Sequence, residues 1–268
     1  MRHTLPKNPQ FYVTAPQDCP YLENQVERKL FTALYGSNSR RLNNSLSKQG
    51  FRRSQNVLYR PSCSNCNACM SARMSSSEFK TSKSQKRVLL RNKDIARVIN
   101  PPLATDAQYD LFKRYINLRH PNGGMSDMDA NDFAAMIEET NVDSKIIEYY
   151  ANINGTRELV SFSLVDILDD GISMVYSVFD PDFNERSLGT YMILDHNALA
   201  LKMKLKFVYL GYWVKGSSKM DYKKRFSPLE VFTEDKWVCA SKAADKKFNI
   251  ENGSSKTHGV PIYLPSDQ

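Results

Sequence analysis

The chain has 268 residues, enough for an enzyme-sized hydrophobic core, and carries a formal net charge of +8 and five cysteines. It contains no run of about 18 apolar residues and no apolar leader, which argues against a membrane partner and predicts a cytoplasmic protein. The odd cysteine count argues against a disulfide framework and fits a reducing compartment.

The positive charge lies mainly in one segment of the chain. Residues 40–97 contain 14 basic and two acidic residues, a local balance of +12, whereas the rest of the chain sums to −4. Such clustering favours a localised face that binds a polyanion over a generally solvated basic surface.

The first predicted helix spans 40–49, because Leu42 and Leu46 fall on one face and Gly50 follows as a C-terminal stop. The next residues, 51–61, read as extended. After the cysteines, a basic helix is predicted over 83–93.

Asn100-Pro101-Pro102 interrupts the regular pattern, since proline cannot continue a helix and also restricts the residue before it. We therefore predict a domain boundary at this point. It separates a smaller Cys- and Arg-rich N-terminal domain, 1–100, from a C-terminal domain, 101–268.

The second half begins with Thr105 and Gln108, a capping-box pair that predicts a helix, and a further helix is predicted over 129–139. Three strand-like runs follow, separated by Asn-Gly and Asp-Gly turns, which predicts an antiparallel meander. A helix from 187 to 201 and one more buried strand complete an α+β fold, with an antiparallel or mixed sheet flanked by helices.

A polar loop joins the meander to the helix at 187–201. It contains Asp180 and Arg186, and Gly189 follows at the helix start, where free N–H groups suit a phosphate or a developing negative charge. The order of meander, loop, helix and strand resembles the GNAT acyltransferase superfamily. Tyr191 stands where that pattern has Gly or Ala, which argues against coenzyme A.

Four cysteines form a candidate metal site. Cys63, Cys66 and Cys69 follow each other at two-residue gaps, and Cys19 lies upstream. Four thiolates suit a tetrahedral zinc ion or an iron-sulfur cluster. Reduced thiols that only pack are the equally weighted alternative.

Aromatic residues interleave with basic ones in the positive segment. Arg52 and Arg53 follow a phenylalanine, and Tyr59 precedes Arg60. Cations that neutralise phosphates beside rings that stack unpaired bases suit a single-stranded RNA end. We therefore expect these four residues to contact RNA.

Four stretches together identify a family resemblance: residues 11–22, 50–74, 79–94 and 179–230. In this order they resemble the bacterial aspartate/glutamate leucyltransferases, relatives of the eukaryotic arginyl-tRNA-protein transferases. The resemblance implies a GNAT-like fold and transfer of leucine from leucyl-tRNA to the N-terminal amine of proteins beginning with Asp or Glu, which marks them for degradation. The implied partners are a charged tRNA and the acceptor protein, and no cofactor is required for transfer.

This chemistry needs proton handling, anion stabilisation and a cation for the acidic acceptor. Asp180 and Tyr222 are the candidates for proton handling, and the backbone near Gly189 for phosphate or oxyanion contact. The candidate cations for the acceptor are Arg186, Lys219 and Arg225.

Three other functions stay open from the sequence. One is an arginyl-tRNA-protein transferase, because the donor pocket is a tertiary property. The others are an acyl-coenzyme A N-acyltransferase and a non-enzymatic, metal-stapled RNA-binding module. The oligomeric state also stays open.

Overall fold

A computed structural model describes residues 9–119, 121 and 123–244. The strands in this part of the chain are β1 Tyr12–Val13, β2 Gln17–Asp18, β3 Val26–Glu27, β4 Lys29–Ala33, β5 Arg52–Ser54, β6 Val57–Pro61, β7 Cys69–Ser75, β8 Ala96–Asn100, β9 Ser144–Ile153, β10 Thr156–Ile167, β11 Gly171–Phe179, β12 Phe207–Val214, β13 Leu229–Thr233 and β14 Lys236–Cys239.

The α-helices are α1 Ser39–Ser47, α2 Lys83–Arg91, α3 Asp106–Arg119, α4 Ala130–Glu138, α5 Leu188–Lys202 and α6 Ala240–Ala244. Two 3₁₀ segments, Pro181–Arg186 and Ser218–Arg225, complete the regular structure that is described. None of the helices in these ranges is both long and apolar enough to cross a bilayer.

The chain folds into two compact units. The first unit combines Met1–Arg73 with Gly211–Gln268, and the second is Met74–Leu210. The boundary predicted at residue 100 therefore falls inside the second unit, and the division of the sequence at that residue stays a prediction.

The second unit contains the predicted meander. Strands β8, β9, β10 and β11 pair antiparallel in chain order, and β12 then pairs parallel to β11. A parallel pair needs a crossover connection, which α5 provides. The mixed sheet and its helices confirm the predicted α+β class.

Local sequence signals account for the ends of these elements. Asn154 and Gly155 have φ of +51° and +86°, the pair of positive values that a tight hairpin turn between β9 and β10 requires. Thr105 Oγ1 accepts from Gln108 N–H at 3.3 Å, and Gln108 Oε1 accepts from Thr105 N–H at 3.2 Å. Both predictions, the hairpin and the capping box, are confirmed.

Helices α3 and α4 pack on the meander through a buried apolar cluster. Phe112 of α3 and Phe133 of α4 lie with ring centroids 5.1 Å apart, and Phe133 meets Phe162 of β10 edge-on at 6.2 Å. All three rings are buried, so this cluster forms one part of the core of the second unit.

The first unit contains an antiparallel sheet in the order β1-β4-β6-β5. The predicted extended stretch 51–61 is a hairpin, because the chain turns at Gln55, whose φ is +48°. Gly50 ends α1 as predicted. Its φ is +81° and a Cβ there would lie 2.7 Å from the Phe232 ring, so the position requires glycine.

Candidate active site

A buried lysine lies beneath a glycine in the first unit. The 3₁₀ segment Ser218–Arg225 follows β12 and turns Lys223 inward, where the residue is only 4% exposed. Its Nζ donates to the Tyr212 carbonyl oxygen and lies 3.6 Å from Met220 Sδ. Across the described ranges, no carboxylate forms an ion pair with Lys223.

Gly211 and Arg52 flank this lysine. Gly211 has φ of +81°, and a Cβ built there would lie 3.6 Å from Lys223 Nζ and 3.8 Å from Arg52 Nη2. Gly211 itself is partly exposed, whereas the two cationic side chains are buried. Glycine at position 211 therefore leaves both cations without a covering side chain at this position.

The environment of Lys223 favours its neutral form. Burial, and secondarily the charge of Arg52, lowers the pKa of Lys223 to about 7. Near neutral pH about half of this amine is unprotonated and able to accept a proton.

The two arginines on β5 that were predicted to bind RNA are buried, not exposed to solvent. Arg52 and Arg53 are 6% and 5% exposed, and Arg53 Nη1 donates to the Gln55 carbonyl oxygen at 2.8 Å. Neighbouring strand residues point to opposite faces, so burial of both means that both faces of β5 are covered. Their role in tRNA binding stays a prediction.

Arg60 and Tyr59 on β6 are half-buried. The Arg60 guanidinium lies 4.9 Å from the Phe51 ring centroid, and burial lowers the pKa of Arg60. The Tyr59 ring packs against Tyr212 at 5.9 Å, and the Tyr212 hydroxyl donates to the Tyr59 carbonyl oxygen at 2.9 Å. Both side chains are therefore fixed by protein contacts.

Three further candidates lie on the same 3₁₀ segment as Lys223. Tyr222 is 40% exposed, and Lys219 and Arg225 are exposed too. Lys223 Nζ lies 5.8 Å from the Tyr222 ring centroid. The structure thus brings these three predicted residues onto one short segment.

Asp180 in the second unit is held by two hydrogen-bonding partners. Its Oδ1 accepts from the Asp182 N–H at 3.0 Å, and its Oδ2 pairs with Arg114 Nη2 at 2.9 Å. The residue is only 5% exposed. These contacts indicate that Asp180 caps and stabilises the start of the segment Pro181–Arg186.

The loop before α5 is likewise tied to its surroundings. Arg186 Nη1 contacts both carboxylate oxygens of Asp94, at 3.1 and 2.9 Å. Ser187 adopts the left-handed conformation, with φ of +53°, and offers no side-chain cap to α5. A Cβ at Gly189 would lie 3.3 Å from Phe179, so glycine allows the helix start to pack closely on β11.

The four cysteines line one cavity of about 80 Å³ in the first unit. Burial raises the pKa of the Cys69 thiol to about 12, and burial also raises that of Cys63. Without a metal these two thiols are therefore protonated near neutral pH, and a zinc ion or cluster would have to displace their protons on binding. Within the residues that can be described, no three His, Cys, Asp or Glu side chains converge enough to hold a metal ion. The four thiols as described do not form a closed tetrahedral site, and a metal on these cysteines stays a prediction of the sequence.

Sequence reasoning missed Lys223 as a functional residue. In the sequence it is one of two adjacent lysines, and Lys224 is exposed and pairs with Asp221 at 2.9 Å. No local pattern separates the two, because burial of Lys223 depends on β5 and β12. Glycine at position 211 inside an aromatic strand was the one available signal.

Two family models match the chain. One is described as Arginine-tRNA-protein transferase, N terminus, and matches residues 17–87; the other is described as Arginine-tRNA-protein transferase, C terminus, and matches residues 107–233. The matched regions lie on either side of residue 100, where the sequence predicts a boundary.

Curated relatives are similar over most of their length. A protein of Ruegeria pomeroyi named aspartate/glutamate leucyltransferase is 61% identical over 237 residues, which cover 88% of this chain and 86% of the relative. A protein of Cereibacter sphaeroides with the same name is 55% identical over 252 residues, covering 93% and 90%. The solved structure of L-PGS from Bacillus licheniformis matches at 12% identity with a TM-score of 0.40, covering 54% of this chain and 45% of that one. That likeness is too weak to carry an argument.

Proposed function

The chain belongs to the aspartate/glutamate leucyltransferase family of aminoacyltransferases, and we propose that it moves leucine from leucyl-tRNA to the N-terminal amine of proteins beginning with Asp or Glu. The high identity to relatives of that name, over nearly the whole chain, carries the proposal. The proposed partners are a charged tRNA and the acceptor protein, the proposed location is the cytoplasm, and the proposed consequence is degradation of the modified protein.

The donor leucine is already activated as an ester, so the acceptor amine needs only alignment and deprotonation. An N-terminal amine with a pKa near 8 is about nine-tenths protonated at pH 7. We propose that neutral Lys223 accepts its proton on the side where Gly211 places no side chain. The carbon-nitrogen bond then forms, the ester carbon-oxygen bond breaks, and the leaving tRNA hydroxyl takes up the proton that the attacking nitrogen loses as it becomes an amide.

The contacts of Lys223 support this role better than those of Asp180. Lys223 is buried without a carboxylate partner and has a pKa lowered to about 7. Asp180 is engaged by Arg114 and by a backbone N–H. Tyr222 neighbours Lys223 and remains a proposed relay for the proton.

The acidic side chain of the acceptor needs a cation nearby. Lys219 and Arg225 are exposed on the segment that carries Lys223, which makes them our proposed contacts. Arg186 is already engaged by Asp94, so an acceptor carboxylate would have to compete with that ion pair.

We propose that transfer itself requires no cofactor. The deprotonation and acyl transfer described above need only side chains, the two substrates and water. A zinc ion or iron-sulfur cluster on the four cysteines remains a prediction of the sequence, and no step of the transfer depends on it.

A transfer assay with matched peptides tests the proposal. Purified protein is incubated with leucyl-, arginyl- or phenylalanyl-tRNA and peptides that differ only in an N-terminal Glu or Gln. We expect leucine on the Glu peptide and at most traces on the Gln peptide, which has the same shape without the charge. Arginine as the favoured donor would support the alternative transferase, and no product with any donor would refute the function.

A further inference from the structure

Helix α2 in the second unit has two chemically different faces. Its inner face contains Gln85, which is buried, Val88 and Leu89, which are half-buried, and Asn92 follows at the C-terminal cap. This face packs against α5. The apolar and amide side chains of α2 are therefore used inside the protein.

The outer face of α2 is formed by Lys83, Lys86, Arg87 and Leu90. These positions follow the i, i+3, i+4, i+7 spacing that places side chains in one stripe about 5–6 Å apart. All four side chains are exposed, Leu90 to 72%. The result is a basic stripe on a short and well-capped helix.

Among the described residues, the three cations of this stripe have no counter-charge. The side chains of Lys83, Lys86 and Arg87 make no hydrogen bond or ion pair with any residue in the described ranges. The sequence 79–93 contains six basic and no acidic residues. By contrast, Arg97 is paired with Asp195 on the same unit.

The far end of α2 is fixed to the loop that enters α5. The Arg91 guanidinium donates to the Glu185 carbonyl oxygen, and Asn92 Nδ2 donates to the Arg186 carbonyl oxygen at 2.8 Å. A capping box at Ser82 and Gln85 holds the near end. The stripe is thus held rigidly beside the loop at 185–187.

We propose that the outer face of α2, Lys83, Lys86 and Arg87, binds the phosphate backbone of the tRNA; this inference rests on the proposed function. A rigid row of unpaired cations matches a row of phosphates, whose binding releases counterions. A membrane surface fits less well, because a membrane-bound helix presents its apolar face to lipid and that of α2 is already packed inside.

The experiment compares two triple variants that lose the same charge. The test variant is K83Q/K86Q/R87Q, and the control K202Q/K204Q/K206Q changes three exposed lysines, the last residue of α5 and two in the loop that follows it. Glutamine keeps helix propensity, and circular dichroism and thermal unfolding verify that both variants fold. Binding of uncharged tRNA is measured from 50 to 300 mM salt, and transfer is measured at varied leucyl-tRNA.

We expect the test variant to reduce the slope of log affinity against log salt by about 2 to 3, since each lost phosphate contact contributes about 0.7–0.9. Its KM for leucyl-tRNA should rise while kcat stays unchanged. The control variant should keep the wild-type slope. An unchanged slope in the test variant, or an equal loss in both variants, would overturn the inference.

The outcomes also separate this inference from the proposed function. If the wild-type protein transfers leucine but the test variant binds tRNA normally, only the assigned surface is wrong. If the wild-type protein binds tRNA through this face and transfers no amino acid, the surface stands and the proposed function fails.

Discussion

Lys223 Nζ lies directly beneath Gly211, 3.6 Å from the point that a Cβ at position 211 would occupy. Any other residue at position 211 would place its Cβ in van der Waals contact with that amine and cover it on this side. The same glycine also leaves space over Arg52 Nη2, at 3.8 Å. The role of Gly211 can therefore be tested by replacing it with alanine, which adds only one methyl group.

Gly211→Ala is expected to reduce the rate of transfer by about tenfold or more, because the new methyl group would lie in van der Waals contact with Lys223 Nζ and hinder the approach of the acceptor amine. Its positive φ of +81° adds a backbone cost of about 1 kcal/mol. Gly155→Ala is the matched control: its φ is +86°, but a Cβ there meets nothing within 4 Å. Equal effects of both substitutions on transfer would mean that only backbone strain matters.

Lys223→Met is expected to change how stability depends on pH. The pKa of Lys223 is lowered from 10.5 to about 7, so between these values the unfolded state binds more protons and stability rises with pH. Below pH 7 Lys223 is protonated in both the folded and the unfolded state, so burial of its charge lowers the free energy of unfolding by a constant amount. Relative to the methionine variant, the wild type should gain about 2 kcal/mol between pH 7 and 9 in urea unfolding.

The neighbours of Lys223 do not titrate in this range. Arg52 keeps its charge, and burial holds the pKa of Tyr212 well above 10. Lys224→Met removes the exposed neighbouring charge and should leave the pH dependence as in the wild type. Parallel stability curves for the wild type and Lys223→Met would show that Lys223 has an ordinary pKa.

Lys223→Met should also reduce transfer, by about 10²- to 10⁴-fold if it removes a general base. The wild-type profile of kcat/KM should rise through two ionisations, Lys223 near pH 7 and the acceptor amine near pH 8. The variant should retain only the acceptor's ionisation. Lys223→Arg keeps a cation that cannot deprotonate, so full activity in that variant would exclude the proton-acceptor role.

The substitution Asp180→Asn tests whether the carboxylate of Asp180 has a structural or a catalytic role. The amide oxygen can still cap the Asp182 N–H, but the ion pair with Arg114 is lost. We expect stability to fall by about 1–2 kcal/mol and kcat to change less than about threefold. Asp182→Asn, at an 83% exposed side chain, is the control with little expected effect. A thousandfold loss of kcat without a loss of stability would instead assign the proton transfer to Asp180.

Removal of metal should leave transfer unchanged, because our proposed reaction uses side chains alone. Protein purified anaerobically is assayed for zinc, iron and sulfide, then dialysed against a chelator and assayed again for transfer and for thermal midpoint. Loss of transfer with an unchanged midpoint would show that a metal takes part in the reaction. Loss of both would indicate a metal that stabilises the cysteine-lined part of the first unit.

Much of the second unit follows from local sequence signals. Asn154-Gly155 set the β9–β10 hairpin, because few residue pairs accept two successive positive φ angles. Thr105 and Gln108 set the start of α3 through a reciprocal cap that involves only four residues. Such signals act over short distances, so the sequence alone contains them.

The sequence did not indicate the hairpin turn within residues 51–61 or the left-handed backbone conformation of Ser187. Neither Gln55 nor Ser187 is a residue that ordinarily favours positive φ, and each adopts it within a wider structural context. These two turns therefore could not be predicted from local signals, in contrast to the turn at Asn154-Gly155.

By itself the sequence determined the α+β class, the order of the main elements, the family and the basic character of α2. Only the tertiary structure decided which cations are buried and which are exposed. Arg52 and Lys223 are hidden by residues distant in the chain, whereas Lys83, Lys86 and Arg87 remain open. Burial controls both the pKa of an amine and its access to a phosphate, and it depends on long-range packing that no local pattern encodes.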